Sequence, residues 1–325
     1  LLAGALLGRF GECSLQMPGG CGIGLRPVDL HLKGFSAMGA SVCLEHGLVK
    51  ISAPKLGGAG IYLDFPSVGA TENIMLAAAL AQGTTFIYNC ATEPEIVELA
   101  DFINRMGGFV EGAGTDSIAV HGAPFLHGCR CRILPDRIEA GTYMLMAAAV
   151  KGSDVRITNV IPQHLSPVTH KLIETGIDIV KGDDFIRVSS NGNIRNTDIK
   201  TLPYPGFPTD MQAQFMALMT TGAGSGIVKE TVFENRFMYV SELNRMGADI
   251  KIDGRSAVVN GVGHLSGTDV KATDLRAGAA LVIAGLMAEG KTEIGEIQHI
   301  DRGYENIEKK LSALGVDIKR IKEGE

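Results

Sequence analysis

Residues 17–27, Met-Pro-Gly-Gly-Cys-Gly-Ile-Gly-Leu-Arg-Pro, hold four glycines and two prolines. That composition makes a loop and not a core element. Cys21 lies among the glycines, with Arg26 five residues on. A thiol beside a cation on an exposed loop is drawn toward its reactive thiolate; a loop cysteine without a chemical role is the competing reading. Gly22-x-Gly24 alone is no dinucleotide fingerprint, because no strand-turn-helix context surrounds it, and Walker A, HExxH and GxSxG sequences are absent.

A second set of polar residues stands just before apolar runs. Asp210 precedes the run from Met211, where an acid ordinarily caps or precharges a helix. Arg276 sits in Asp274-Leu275-Arg276 ahead of another apolar run, where caps and acids are favoured and a cation is not. Arg302, in His299-Ile300-Asp301-Arg302-Gly303-Tyr304, reads as a strand-to-helix turn, with a surface salt bridge as the alternative use. Guanidinium groups suit bidentate contact with phosphate or carboxylate. Arg26, Arg276 and Arg302 together therefore point to an anionic substrate.

The elements that must hold these residues recur. Five helical stretches end in a glycine followed by a short strand, at Gly39, Gly107, Gly176, Gly247 and Gly315, spaced 68 to 71 residues apart. A fixed period marks one supersecondary unit used repeatedly, and this one is too long for the common solenoids. In the best-defined unit the spacing predicts an all-apolar buried helix over 73–81 and a strand over 84–88. An amphipathic helix over 93–106 and two strands, near Phe109 and over 118–120, complete it. Further buried helices are expected over 143–150, 211–219 and 279–287, and amphipathic ones over 167–175, 239–246 and 304–314. Each unit is β-α-β-α-β-β in outline, an α/β fold with helices inside and sheets outside.

Composition narrows the function. With 325 residues, 45% hydrophobic and 20% charged, the chain has the material for two globular domains. A net charge of -6 gives a nucleic-acid partner no general electrostatic help. The apolar residues 1–7 are too few to span a bilayer. The six cysteines show neither metal-ligand nor disulfide-framework spacing, as expected of reduced thiols in a cytoplasmic protein.

Seven ordered motifs carry a resemblance across essentially the whole chain: PGGCGIGLRPVDLHL, PSVGATENIMLAAALAQGTT, PDRIEAGTYM, FPTDMQAQF, ETVFENRFMYV, TDLRAGAALVIAG and HIDRGYENIEKKLSALG. The sequence resembles the UDP-N-acetylglucosamine enolpyruvyl transferase family. The resemblance implies an inside-out α/β barrel pair, two pseudo-threefold domains of three units each. It implies transfer of the enolpyruvyl group of phosphoenolpyruvate to the 3'-hydroxyl of UDP-N-acetylglucosamine with release of phosphate, the committed step of peptidoglycan precursor synthesis. It makes Cys21 the proton donor and the site of fosfomycin alkylation, and Asp210 the candidate base near the sugar hydroxyl. It gives Arg26, Arg276 and Arg302 to phosphoenolpyruvate. It gives Arg26, Pro27, Val28, Asp29 and Leu30, with Ser67, Val68, Gly69 and Val232, to the nucleotide. Neither metal nor organic cofactor is called for.

The chemistry asks for an acid and a base on opposite sides of the reacting group, fixed cations and exclusion of water; a glycine-rich loop carrying the acid suits a lid. The family's N-terminal Lys-Asn pair and an early arginine have no counterpart here, and some members have lysine at the position of Phe65. Five units stand where six are expected. The expectation is therefore an N-terminal domain remnant over 1–134, a complete three-unit domain over 135–325, and low or no activity. The rivals are the shikimate-pathway synthase on the same fold, against which Cys21 and the RPVDLH segment argue, a non-catalytic paralogue, and a purely structural repeat protein. Oligomeric state is not readable.

Overall fold

The computed structural model describes residues 1–16 and 28–321. Cys21, Arg26 and Pro27 lie outside the described residues.

The period is visible first in the backbone. Gly39, Gly107, Gly176, Gly247 and Gly315 have φ between 91° and 95°, a left-handed region that costs a side chain roughly 1–2 kcal/mol. All five close a helix in the same way. The glycine N–H reaches the carbonyl three residues back (Gly247 to Asn244, 3.0 Å), and the next N–H reaches five back (Ala248 to Leu243, 3.2 Å). This double bond satisfies carbonyls that a helix end leaves free. At Gly39, Gly107, Gly176 and Gly247 it also turns the chain directly into the following strand, whereas no strand follows Gly315 among the described residues.

The described residues fall into two compact units, the chain passing from one to the other at Leu134–Pro135; the segment Pro203–Pro205 groups with the first. In the first unit, Gly60–Tyr62 runs parallel to Thr84–Tyr88, which pairs antiparallel with Ser117–His121, itself antiparallel to Phe109–Glu111. In the second, Ile199–Lys200, Ser225–Lys229, Ser256–Asn260 and Asp249–Asp253 repeat that order and those directions. A three-stranded antiparallel sheet also occurs in each, centred on Leu48–Ser52 and on Phe185–Ser189. Burial alternates along the strands, as one covered face requires: Thr85 and Ile87 point inward, Phe86 and Tyr88 outward.

Helices fill the inside of each unit. In the second, Arg137–Ala149, Gln212–Met219 and Leu275–Met287 pack on one another, and every side chain of Gln212–Met219 is buried. In the first, Leu2–Phe10 packs on Val68–Ala78. Gly4 makes that approach workable, since a Cβ there would lie 1.9 Å from the carbonyl of Asn73.

Caps correct several expected boundaries. The helix expected over 73–81 runs Val68–Ala78, because the Ser67 hydroxyl accepts from the Ala70 N–H and starts it earlier. Asp136, accepting from Ile138 and Glu139 N–H at 2.8 and 3.0 Å, likewise starts Arg137–Ala149 six residues before the expected 143. The helix expected over 304–314 runs only Ile307–Ala313; Asn306 with φ 47° breaks it from the separate turn Gln298–Asp301.

Candidate active site

The second unit gathers charge around one carboxylate. Asp210 lies in the 3-10 turn Thr209–Met211 that leads into Gln212–Met219, and its side chain caps neither element. The capping role that its position suggests is therefore not the one it has. Oδ1 accepts from Arg236 Nη2 at 2.7 Å and Oδ2 from Arg276 Nη2 at 3.1 Å. The two guanidiniums are nearly covered, at 4% and 14% exposed, while the carboxylate is 40% exposed. Of the three groups the carboxylate is the one most open to solvent. Burial pushes the Asp210 carboxyl up, but Arg276 and Arg236 outweigh it and hold it below its ordinary value.

Arg276 belongs to the first turn of Leu275–Met287 and does not precede the helix. Asp274 caps that helix, its Oδ1 accepting from Arg276 and Ala277 N–H at 2.8 and 3.0 Å. The cap relieves the conflict of a cation at a helix start and leaves the guanidinium to face Asp210. Its Nη1 also donates to Tyr304 Oη at 3.1 Å. Tyr304 is wholly buried, and its hydroxyl meets Thr142 Oγ1 at 2.9 Å. One arginine is thus tied to two neighbouring turns, a fixed orientation that prepares it for an anion.

Arg302, two residues before Tyr304, makes no hydrogen bond to Asp210 among the described residues. It is exposed, just after Gln298–Asp301 rather than at a strand-to-helix turn, and has no ion-pair partner among the described residues. Its neighbour Asp301 is held by Arg320 at 2.6 and 2.9 Å. Val232 lies on the segment after Ser225–Lys229, its N–H donating to Glu230 Oε1 at 2.7 Å.

In the first unit, two helix starts carry the remaining expected residues. Val28 precedes Asp29–Ala37, and Leu30 lies in its first turn. Ser67 caps Val68–Ala78, which begins with Val68 and Gly69. The two starts touch through His31, whose ring would lie 3.4 Å from a Cβ at Gly69. His31 Nδ1 accepts from Asn73 Nδ2 at 2.9 Å, which puts any proton of a neutral ring on Nε2. Burial lowers its pKa, so the neutral form is favoured. Val28, Asp29, Leu30, Ser67, Val68 and Gly69 therefore sit together, at N–H-rich ends suited to an anionic group.

Arg236, Tyr304 and His31 were not among the expected site residues. Arg236 lies in Phe233-Glu234-Asn235-Arg236-Phe237, where a charge beside Glu234 and Asn235 reads as an ordinary polar turn, so its only signal is that it falls in a matched motif. Tyr304 had none beyond lying in a matched motif. Among the described residues no three His, Cys, Asp or Glu gather as a metal site, no helix is long and apolar enough to cross a membrane, and five cysteines are free thiols.

Repeated α/β units that surround buried helices and set paired arginines on a lone carboxylate define a fold shared with enolpyruvyl transferases. The crystal structure of the enolpyruvyl transferase NikO from Streptomyces tendae superposes with a TM-score of 0.88 at 26% identity, over 98% of this chain and 76% of that one. Residues 1–311 match the EPSP synthase (3-phosphoshikimate 1-carboxyvinyltransferase) family. UDP-N-acetylglucosamine 1-carboxyvinyltransferase 1 of Caldanaerobacter subterraneus subsp. tengcongensis is 58% identical over 98% of this chain and 77% of its own length. UDP-N-acetylglucosamine 1-carboxyvinyltransferase 2 of Carboxydothermus hydrogenoformans is 58% identical over 99% of this chain and 77% of its own. This chain belongs to the UDP-N-acetylglucosamine 1-carboxyvinyltransferase family, within the EPSP synthase-like fold.

Proposed function

We propose that this protein transfers the enolpyruvyl group of phosphoenolpyruvate to the 3'-hydroxyl of UDP-N-acetylglucosamine and releases phosphate. The observation that carries the reading is the Asp210 carboxylate held by Arg236 and Arg276, in a chain 58% identical to two transferases of that name. The sugar oxygen bonds to C2 of phosphoenolpyruvate while C3 gains a proton. Loss of that proton, with cleavage of the C2–O bond to phosphate, restores the double bond.

Asp210 takes the hydroxyl proton in this scheme. Paired with two arginines it is a weak base. An incoming phosphate or carboxylate competes for Arg276, removes part of that pairing and raises the basicity of Asp210 when substrate is present. Arg276 and Arg302 hold phosphoenolpyruvate, with Arg26; Cys21 supplies the proton to C3. Val28 to Leu30, Ser67 to Gly69 and Val232, with Arg26 and Pro27, contact the nucleotide. Residues 1–134 and 135–325 act as the two domains. In a bacterial cytoplasm the product feeds peptidoglycan synthesis, and through it cell shape and division.

The test is phosphate release from phosphoenolpyruvate with UDP-N-acetylglucosamine or shikimate 3-phosphate as acceptor, alongside Cys21→Ala. Release with the sugar nucleotide alone, lost in Cys21→Ala, supports the reading. Release with shikimate 3-phosphate alone transfers the chain to the other branch of the fold. No release from a folded chain with either acceptor counts against transfer altogether.

A further inference from the structure

Glu230 is a carboxylate with a distinctive set of partners. It is 1% exposed, and the hydrogen bonds it accepts come from hydroxyl and backbone N–H groups. Four donors surround it: Oε1 accepts from Thr201 Oγ1 at 2.8 Å and from the N–H groups of Val232 and Phe233 at 2.7 and 3.2 Å. Oε2 accepts from Thr209 Oγ1 at 2.9 Å. A buried carboxylate is tolerable only when its acceptor capacity is filled in this way.

The donors come from both sides of the proposed site. Thr209 directly precedes Asp210. Val232 and Phe233 begin the segment that ends in Arg236. The two segments meet at two rungs, Thr209 with Glu230 and Asp210 with Arg236. The first rung fixes the backbone at Val232, and the second fixes the carboxylate of Asp210. Thr201 adds a third tie: it donates to Glu230 and accepts the Thr231 N–H at 2.9 Å, so the turn at 230–233 is held from the neighbouring strand as well.

We infer that Glu230 is a positioning residue of the transfer reaction, setting the Val232 backbone against the Asp210 turn so that the nucleotide sugar is presented to the base. The inference rests on the proposed function and adds to it a residue that need not touch substrate. Its two acceptor oxygens are what matter. Glutamine has the same size but replaces one acceptor oxygen by a donor NH2, which must face either the two N–H groups or the Thr209 hydroxyl.

The experiment compares wild type, Glu230→Gln, Thr209→Val and Thr209→Ser. UDP-N-acetylglucosamine binding is followed by calorimetry, steady-state KM is measured for both substrates, and thermal unfolding is recorded for each protein. Glu230→Gln is expected to weaken sugar-nucleotide binding and raise its KM about tenfold, with the KM for phosphoenolpyruvate within about twofold. Thr209→Val should show the same split more mildly, and Thr209→Ser, which keeps the hydroxyl, should restore wild-type values. Variants that unfold at lower temperature but keep both KM values and the sugar-nucleotide affinity would overturn the inference, leaving Glu230 a purely structural group. If Glu230→Gln does not fold, Thr209→Val and Thr209→Ser decide by the same split. A folded wild type that fails to bind UDP-N-acetylglucosamine overturns the functional reading and this inference with it.

Discussion

Removing Asp210 should harm the fold more than removing Arg236, although each deletes one partner of the same ion pair. In Asp210→Ala, Arg236 and Arg276, only 4% and 14% exposed, face each other without their carboxylate. Stripping the partner from a buried charge costs about 3–5 kcal/mol. The 40% exposure of the carboxylate itself places this case near the lower end. In Arg236→Met the aliphatic stem still packs, and the carboxylate left behind is part-solvated and keeps Arg276 at 3.1 Å. That loss is close to one charge-assisted hydrogen bond, roughly 1.5–3 kcal/mol, reduced by solvent to about 1–2 kcal/mol. The double variant should cost less than the two singles together, with a coupling of at least ~0.5 kcal/mol, as contacting residues show. Urea unfolding followed by circular dichroism supplies all three values. The Asp210→Ala loss should lower Tm by roughly 6–12 °C for a unit of this size. An Arg236→Met variant as unstable as Asp210→Ala, or strictly additive losses, would refute the reasoning that the buried guanidinium is the group at risk.

Asp210 is held below its ordinary carboxylate value, so its pairing stabilises the fold above the unfolded-state pKa and is lost as pH falls through the folded one. Wild type should therefore lose stability below about pH 4, and Asp210→Asn should show a shallower loss over that window in acid titrations of unfolding. Gly247→Ala should cost about 1–2 kcal/mol in chemical denaturation with activity unchanged, because a Cβ there meets nothing within 4 Å and only the left-handed backbone resists. Burial pushes the Cys90 thiol up to about 11, which leaves about one thiol in a thousand ionised at pH 8. Mass-spectrometric alkylation with iodoacetamide should label exposed Cys131 well before buried Cys90, and equal rates would contradict the burial.

Much of the fold was legible in the chain. The five glycines could be read because a left-handed helix end is a local backbone demand that almost no other residue meets cheaply. The strand over 84–88 was legible because alternation is local, and the buried helices because an unbroken apolar run cannot face water. Helix starts were missed where a cap lay outside the apolar run: Ser67 and Asp136 act through one hydrogen bond or two, a signal that hydrophobic periodicity does not contain.

For the site, the repeat, the family motifs and the expectation that Asp210 and Arg276 do chemistry could all be read along the chain. Residues 66 positions apart proved to share a hydrogen bond, but no spacing in the chain states that distance. Only the folded chain decided that Arg236 completes the pair and that Tyr304, in the turn before Ile307–Ala313, anchors Arg276. It also decided that Glu230 is clasped by Thr201 and Thr209. The physical reason is range. Capping, turn conformation and apolar periodicity act within a few residues and are written in order along the chain. The partner of a buried charge is chosen by how separate helices and strands pack, and that choice exists only once the core has formed.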